Sequence, residues 1–444
     1  MIYKTHTRMT IIVIYGLIAV ILLCFCAMSV ISHTALSDHL PLFLILATLT
    51  QCLAIALFFR VKKTYIISNN IVMILAFIVS CIGVFGHPIF EDDYFRYLWD
   101  GYVFYHFGSP YGFIPEAFFT DDTITEPFQT ILGYINHPSL PTIYGPTSQY
   151  SFLAAYIIDP GNITILQLFY AVANMIIVYI CLHYAAPHYV LLYVFSPLIF
   201  KETLLTAHPD GFAVYLLLAA YWVSHKKHYI AAGCLAGLSI GAKIFALLLV
   251  PFLVIKHPIK VIFGCALALS LLYIPIIING ASEFTSLRSM ATDWEFNSAL
   301  WGVLTIFFSD NIVRFIMAII IISCSACLAW SFWYRKRHML YYVPRGDIVF
   351  GVFLLCLPVI NPWYVVWVLP FAVIHPSVTA WFASFIILLS YVVPLYLPTL
   401  DLDGNYDQPV IIRWVEFGSL ACVFTVEYWW RKKNNIFSNI FTND

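Results

Sequence analysis

Two neighbouring stretches set the architecture of this chain: Ile71-Val-Met-Ile-Leu-Ala-Phe-Ile-Val-Ser-Cys-Ile-Gly-Val-Phe85, and then Glu91-Asp92-Asp93-Tyr-Phe-Arg96-Tyr97-Leu-Trp-Asp100-Gly101. The first is an apolar run suited to a bilayer core. The second gathers four acids and one arginine just past its end, in a chain with only 23 Asp and Glu and 22 Lys and Arg. A charge cluster at a membrane boundary is a place where polar chemistry can be done beside lipid. The 444 residues are 62% hydrophobic and 10% charged, against roughly 25% charged in soluble proteins. The expected fold is an all-α polytopic membrane protein forming a single integral membrane domain over 1–444.

A spanning helix needs roughly 20 apolar residues. Clear candidates are 11–32, 41–59, 70–87, 163–182, 209–224, 261–279, 311–333, 378–397 and 411–430, with shorter runs at 187–200, 229–240, 243–255, 347–358 and 362–374. About 11–14 transmembrane helices are expected, some broken where they line a cavity. The apolar run Thr10 to Ile31 is too long for a signal-peptide core and is read as a retained first helix. Basic residues fall in short loops at Lys4/Arg8, Arg60/Lys62/Lys63, Lys226/Lys227, Lys256/Lys260, Arg335/Lys336/Arg337 and Arg431/Lys432/Lys433. With all of these in the cytoplasm, both termini are inside and 431–444 is a cytoplasmic tail. The first outer loop is then 88–145. The acids Asp121, Asp122, Glu126, Asp293, Glu295, Asp401, Asp403 and Asp407 lie on the same non-cytoplasmic face. The net charge of −1 lacks the basic footprint of a nucleic-acid binder. Eleven cysteines, many in apolar runs such as Cys24, Cys26, Cys324 and Cys327, show no metal or redox spacing.

The same threading brings distant polar groups to one depth: Lys201-Glu202, His208-Pro209-Asp210, Lys243, Phe296-Asn297 and Asn361-Pro362-Trp363-Tyr364. If 91–101 is helical, Asp93, Arg96, Tyr97 and Asp100 share a face, and Asp92 stands four residues before Arg96. An arginine held by carboxylates keeps a fork that can receive a phosphate. A remaining carboxylate can take a proton from a hydroxyl. The alternative is a surface helix laced by internal salt bridges. Lys243, within Leu238-Ser-Ile-Gly-Ala-Lys243-Ile-Phe, is a charge in an apolar run and a functional candidate, or a lysine snorkelling from a helix end. His208 and Asp210 suit a sugar hydroxyl or a lipid phosphate, or cap the following helix. Trp363 and Tyr364 suit the apolar face of a pyranose, or belong to the interfacial aromatic belt. His183, His188 and His257 have no assigned role. A divalent ion on Asp92 and Asp93 lacks a further set of oxygen ligands.

Glu-Asp-Asp-x-x-Arg-Tyr-x-Trp-Asp-Gly at 91–101 resembles the first-loop motif of bacterial GT-C glycosyltransferases, in particular the polyprenyl-phosphate-mannose-dependent α-1,6-mannosyltransferase-like proteins. The resemblance continues in order through Ile143-Tyr144-Gly145-Pro146, Ser196-Pro197-Leu198 to Lys201-Glu202, His208-x-Asp210, Gly237-Leu238 to Lys243, Phe296-Asn297-Ser298, and Pro362-Trp363-Tyr364 with Trp367 to Pro370. It implies a GT-C-like fold with amphipathic helices in the first outer loop. It also implies metal-independent transfer of a hexose, first of all mannose, from a polyprenyl-phosphate donor to a lipid or glycan acceptor on the non-cytoplasmic face of a bacterial inner membrane. Carried over, Asp92 is the general base and Asp93 its partner. Arg96, Lys243 and His208 would hold the lipid phosphate. Glu91, Tyr97, Asp100, Tyr144, Lys201, Asp210, Asn297, Trp363 and Tyr364 would line the sugar or acceptor site. The chain departs from the pattern after Gly101 and at Pro209, which bears on sugar identity. The alternatives are a secondary transporter, or a flippase or polymerase of polyprenyl lipids. Transporters usually carry internal symmetry and midplane charges, whereas here the charges collect on one face.

Overall fold

The structure, a computed structural model, describes residues 2–434 except 35–38, 65, 256, 279–286, 288–293, 336–342 and 394–407. Asp293, Asp401, Asp403, Asp407, Lys256, Lys336, Arg337 and the tail beyond residue 434 lie outside the described residues, as do the side chains of Lys4, Arg8 and Arg335. Among the described residues the chain is all helix and loop, with one isolated parallel bridge between Phe296 and Val359.

The elements used below are α1 (Ile2–Ile31), α2 (Leu40–Thr64), α3 (Asn69–Val84), α4 (Asp93–Phe107), α5 (Glu126–Gly133), α6 (Pro146–Ile158), α7 (Thr164–Tyr184), α8 (Pro187–Val194), α9 (Pro209–His225), α10 (Tyr229–Ala242), α11 (Pro258–Ile277), α12 (Asp310–Arg335), α13 (Gly346–Leu355), α14 (Val378–Ile386) and α15 (Val410–Lys433). Among the described residues, five helices are long and apolar enough to cross a membrane: Met9–Ile31, Leu40–Thr64, Thr164–Tyr184, Pro258–Ile277 and Asp310–Tyr334. Pro197–Leu205 and α9 together make a sixth, bent by 103°. The remaining apolar helices are short: Asn69–Val84, Tyr229–Ala242, Gly346–Leu355, Pro362–Ile374 and Val378–Tyr391.

The expected runs are therefore helical, but several are in pieces. The run 378–397 starts as α14 and tightens into a 3-10 turn at Ile387–Tyr391. The run 243–255 is a 3-10 turn, Ile244–Leu248, and one further turn, Val250–Val254. The expected span 411–430 is one continuous helix, α15, but Arg413, Glu416 and Glu427 interrupt its apolar face. The bend before α9 follows a π-turn, Phe200–Leu205. Pro209 opens α9 with no N–H to donate, so the chain can turn there without losing a helical bond.

Two packing devices position the site. The main core is built by α1, α2, α3, α7, α8, α9 and the Pro197–Leu205 turn. α10 and α11 approach backbone to backbone: a Cβ on Gly233 would meet Val261 O at 2.2 Å, and one on Gly264 would meet Ile230 O at 2.1 Å. Small residues allow such contact between membrane helices. Gly237 and Gly241 continue the row at four-residue spacing, and a Cβ on Gly145 would meet the Gly241 carbonyl at 2.3 Å. The row thus fixes the end of α10, where Lys243 sits, against the start of α6. The first outer loop has its own small core, in which Trp99, Tyr102 and Val103 of α4 pack on Phe128, Ile131 and Leu132 of α5. α4 is therefore a packed platform rather than a solvated surface helix.

Candidate active site

α4 begins at Asp93, so Asp92 is its N-cap and lies off the helical face that carries Arg96 and Asp100. Arg96 Nε donates to Asp100 Oδ1 at 3.0 Å, and its Nη2 donates to the Leu140 carbonyl at 2.8 Å. Asp100 Oδ2 accepts from Thr142 Oγ1 at 2.5 Å and from Gln149 Nε2 at 2.7 Å. This buried set ties the 134–145 segment and α6 to α4. Arg96 forms its ion pair with Asp100, while Asp92 and Asp93 share the Asn136 amide.

Those partners come from the same loop. Asn136 Nδ2 donates to Asp92 Oδ1 at 2.6 Å and to Asp93 Oδ1 at 3.0 Å. Tyr144 donates its hydroxyl to Asp93 Oδ2 at 3.1 Å. Burial, the Asp93 charge beside it and the Glu91 charge push the Asp92 carboxyl up to about 6, with the Asn136 amide opposing them. Burial also raises Asp100, against the pull of Arg96, Thr142 and Gln149. Burial lowers His137, the neighbour of Asn136.

Behind the two aspartates stands a buried ionic group. His208 bridges Tyr97, whose hydroxyl lies 2.8 Å from Nδ1, and Glu91, which is bonded to Nε2. Lys201 Nζ is 3.5 Å from Glu91 Oε2, 3.2 Å from Glu202 Oε2 and 2.5 Å from the Tyr391 hydroxyl. Tyr391 in turn donates to Glu202 Oε1 at 2.7 Å. Glu91, Glu202 and His208 each offer a metal-ligating atom within 4.8 Å of the others. The Lys201 ammonium already lies among the same oxygens, so a divalent ion there would have to displace it. Replacing Lys201 with methionine leaves Glu91 and Glu202 facing each other without their cation. Breaking a buried ion pair in this way costs about 3–5 kcal/mol. Thermal unfolding of the purified variant should show that loss, and an unchanged midpoint would contradict the arrangement.

The third group closes the other side. Lys243 follows the last turn of α10 in extended backbone. Its Nζ donates to Asp210 Oδ2 at 2.7 Å, and Trp367 Nε1 donates to Asp210 Oδ1 at 2.7 Å. Lys243 Nζ also lies 4.3 Å from the centre of the Tyr364 ring, so that ring faces a cation. Trp363 stacks on His208 with ring centres 4.1 Å apart. The Asp93 charge is close enough to act on Lys243, His208 and Tyr364.

The structure thus brings Glu91, Asp92, Asp93, Tyr97, Tyr144, Lys201, His208, Asp210, Lys243, Trp363 and Tyr364 to one region. Arg96 and Asp100 adjoin it as a strut between α4 and the loop. Asn297 sits apart. It is buried with a left-handed backbone (φ 45°), follows the bridge of Phe296 to 358–360, and lies against Glu416. Asn136 and Tyr391 are site residues that the sequence did not single out, and Trp367 entered there only as part of a motif, without a role. Asn136 lies in a loop without periodicity, and Tyr391 and Trp367 lie in apolar runs where an aromatic is unremarkable.

A cation, paired carboxylates and stacked aromatics at the rim of a helical membrane body can bind a sugar on a lipid phosphate. Residues 143–358 match the model of glycosyltransferase family 87. The match covers just under half of the chain and, with the apolar helices, supports a membrane glycosyltransferase. It takes in Tyr144, Lys201, His208, Asp210, Lys243 and Asn297, begins after the acids of α4 and ends before Trp363. No match was found among curated proteins or solved structures.

Proposed function

We propose that this membrane glycosyltransferase is of the GT-C type and moves a hexose, first of all mannose, from a polyprenyl phosphate to a hydroxyl of a lipid or glycan acceptor. The observation that carries this reading is the Asn136-bridged pair Asp92–Asp93 facing the Lys243–Asp210 pair across one rim. In the proposed reaction Asp92, whose carboxyl is lifted toward neutrality, takes the proton of the acceptor hydroxyl. The new bond forms at the anomeric carbon as the bond to the phosphate oxygen breaks. The negative charge that grows on the departing lipid phosphate falls to Lys243, a cation close enough to feel the Asp93 charge. Prearranged charge of this kind is commonly the largest contribution to such a step. Attack from the side opposite the phosphate inverts the anomeric centre. Arg96 acts through Asp100 and the Leu140 carbonyl, holding the loop that carries Asn136. His208, clamped by Glu91 and Tyr97, presents Trp363 to the sugar. No step requires a metal.

The proposed sidedness is the non-cytoplasmic face of a bacterial inner membrane, with both termini inside. It rests on the basic ends of α2 (Lys62, Lys63) and α15 (Arg431, Lys432, Lys433), set against the acids that follow α3. The purified protein in lipid, given polyprenyl-phosphate mannose and a polyprenyl acceptor, should release free polyprenyl phosphate and form a mannosylated product. Release with another lipid-phosphate hexose alone would replace mannose. Failure of every such donor to release its lipid phosphate would reject the reading.

A further inference from the structure

The aspartate pair has two unlike sides. Asp93 accepts from Tyr144 at 3.1 Å, and its charge acts on Lys243, His208 and Tyr364. Asp92 adjoins a different group. Its charge and the Tyr134 hydroxyl both act on the Tyr94 hydroxyl, so the three side chains lie together. Tyr94, Phe95 and Tyr134 form a ladder of rings, with centres 4.1 Å apart for Tyr94 and Phe95 and 5.0 Å apart for Phe95 and Tyr134. Phe95 rests on the small core of the first outer loop. Tyr134 caps the C-terminal end of α5, which packs on α4, and its ring lies within 20° of parallel to Phe95. Tyr134 is nonetheless 61% exposed. Its ring is therefore placed by a packed helix end, backed by a second ring, and open to a ligand. Two residues further on, Asn136 holds Asp92 at 2.6 Å. Charge narrows what can rest there. Residues 88–145 contain eight Asp and Glu and one Lys or Arg, Arg96. Arg96 is buried and committed to Asp100 and the Leu140 carbonyl. His87, edge-on to Tyr94 at 5.4 Å, is held toward its neutral form by burial. An anionic headgroup on this side would meet negative charge.

We propose that the Tyr134 ring, backed by Phe95, is the acceptor subsite and takes an uncharged pyranose. This rests on the transferase reading above. With Asp92 receiving the proton and the phosphate departing toward Lys243, the attacking hydroxyl has to be positioned on the Asp92 side. The ladder is the surface on that side. An aromatic ring offers an apolar face with a polar edge: the apolar face of the sugar covers the Tyr134 ring, and its hydroxyls stay free for Asp92 and Tyr94. The acceptor is then a glycan or glycolipid that presents a neutral sugar, whatever tail carries it, and not a sugarless anionic lipid.

The full-length protein in phosphatidylcholine nanodiscs would be given methyl α-D-mannopyranoside without donor, and contact read by saturation-transfer difference NMR. The wild type should pass saturation to the sugar ring protons. Tyr134→Ala should lose most of that signal, and Tyr134→Phe should keep it, because the ring makes the contact. Tyr134 is exposed, so its truncation leaves the core of the loop intact. In the donor reaction, octyl α-D-mannopyranoside should serve as acceptor in preference to phosphatidylglycerol, whose headgroup offers hydroxyls without a ring and carries a charge. Tyr134→Ala should raise the KM for the mannoside roughly tenfold, the order of one aromatic contact, and leave the donor KM where it is. No sugar contact in the wild type would overturn the proposal. So would contact and acceptor KM unmoved by Tyr134→Ala, the result for a ring that only sits among lipid headgroups, or phosphatidylglycerol serving as well as the mannoside. The binding arm uses no donor, so failure of every donor would reject the transferase reading without being mistaken for loss of the subsite.

Discussion

Asp92→Asn is expected to lower the rate of sugar transfer by about 10²–10⁴-fold, the usual contribution of a positioned general base, and at the same time to make the protein more stable. The two effects have one cause. Burial and the charges of Asp93 and Glu91 hold the Asp92 carboxyl at about 6, roughly two units above an unperturbed aspartate. Its folded-state value is raised, so the fold disfavours its ionised form. Below about pH 4 the group is neutral whether folded or unfolded, and it costs nothing. Between about 4 and 6 the unfolded chain ionises first and stability falls, by as much as about 2–3 kcal/mol at neutral pH. An asparagine is never charged and still offers Oδ1 to Asn136, so the bond that orders the loop can persist. The variant should therefore unfold at a higher temperature than the wild type at pH 7 and at the same temperature near pH 3.5. In the wild type, transfer should fall as the pH drops through about 6, when Asp92 takes up its proton in advance. Near-wild-type transfer by Asp92→Asn would remove it as the base. A lower unfolding temperature at pH 7 would mean that the carboxylate is stabilised, not penalised, by its surroundings.

The first outer loop shows how far such a site can be read from sequence. The spacing of 93, 96, 97 and 100 places four side chains on one face, and the structure forms the Arg96–Asp100 contact of that face. Asp92 does not follow that spacing, because the helix starts one residue later and a capping residue obeys no helical period. The spacing also cannot supply Asn136, which is 44 residues from Asp92 and meets it from a segment that Arg96 and Asp100 fasten just beyond, at Leu140 and Thr142. Long apolar runs such as Met9–Ile31 and Leu40–Thr64 are legible because bilayer thickness sets their length. The breaks at 205–209, 243 and 386–391 are less so. There the helix ends are held by tertiary partners: Lys201 by Tyr391 and Lys243 by Asp210. Those same breaks carry the polar groups of the site, since an interrupted helix frees backbone and side chains for a ligand where a continuous one does not.

Lys243→Met should be the other severe substitution, and pairing it with Asp210→Asn separates chemistry from folding. Alone, Lys243→Met removes the cation assigned to the departing phosphate, a loss of about 10²–10³ in rate if it acts as a single prearranged donor of charge. It also strands Asp210, which is buried and would keep only the Trp367 N–H. An uncompensated buried carboxylate costs about 3–5 kcal/mol, so the single variant is expected to be both inactive and poorly folded. The double variant Lys243→Met/Asp210→Asn removes the stranded charge while its amide oxygen can still accept from Trp367, and it should regain most of the lost stability. Transfer should not return with it, because no positive charge then faces Asp93 from α10. Arginine at 243 is a different case. It keeps the charge on a longer, planar group and must displace the Tyr364 ring that now faces the ammonium, so partial activity is expected. Recovery of both stability and transfer in the double variant would show that Lys243 serves only to neutralise Asp210. The leaving phosphate would then have to be met by another cation beside the acidic loop: Lys201, 3.5 Å from Glu91, or Arg96 of the loop itself.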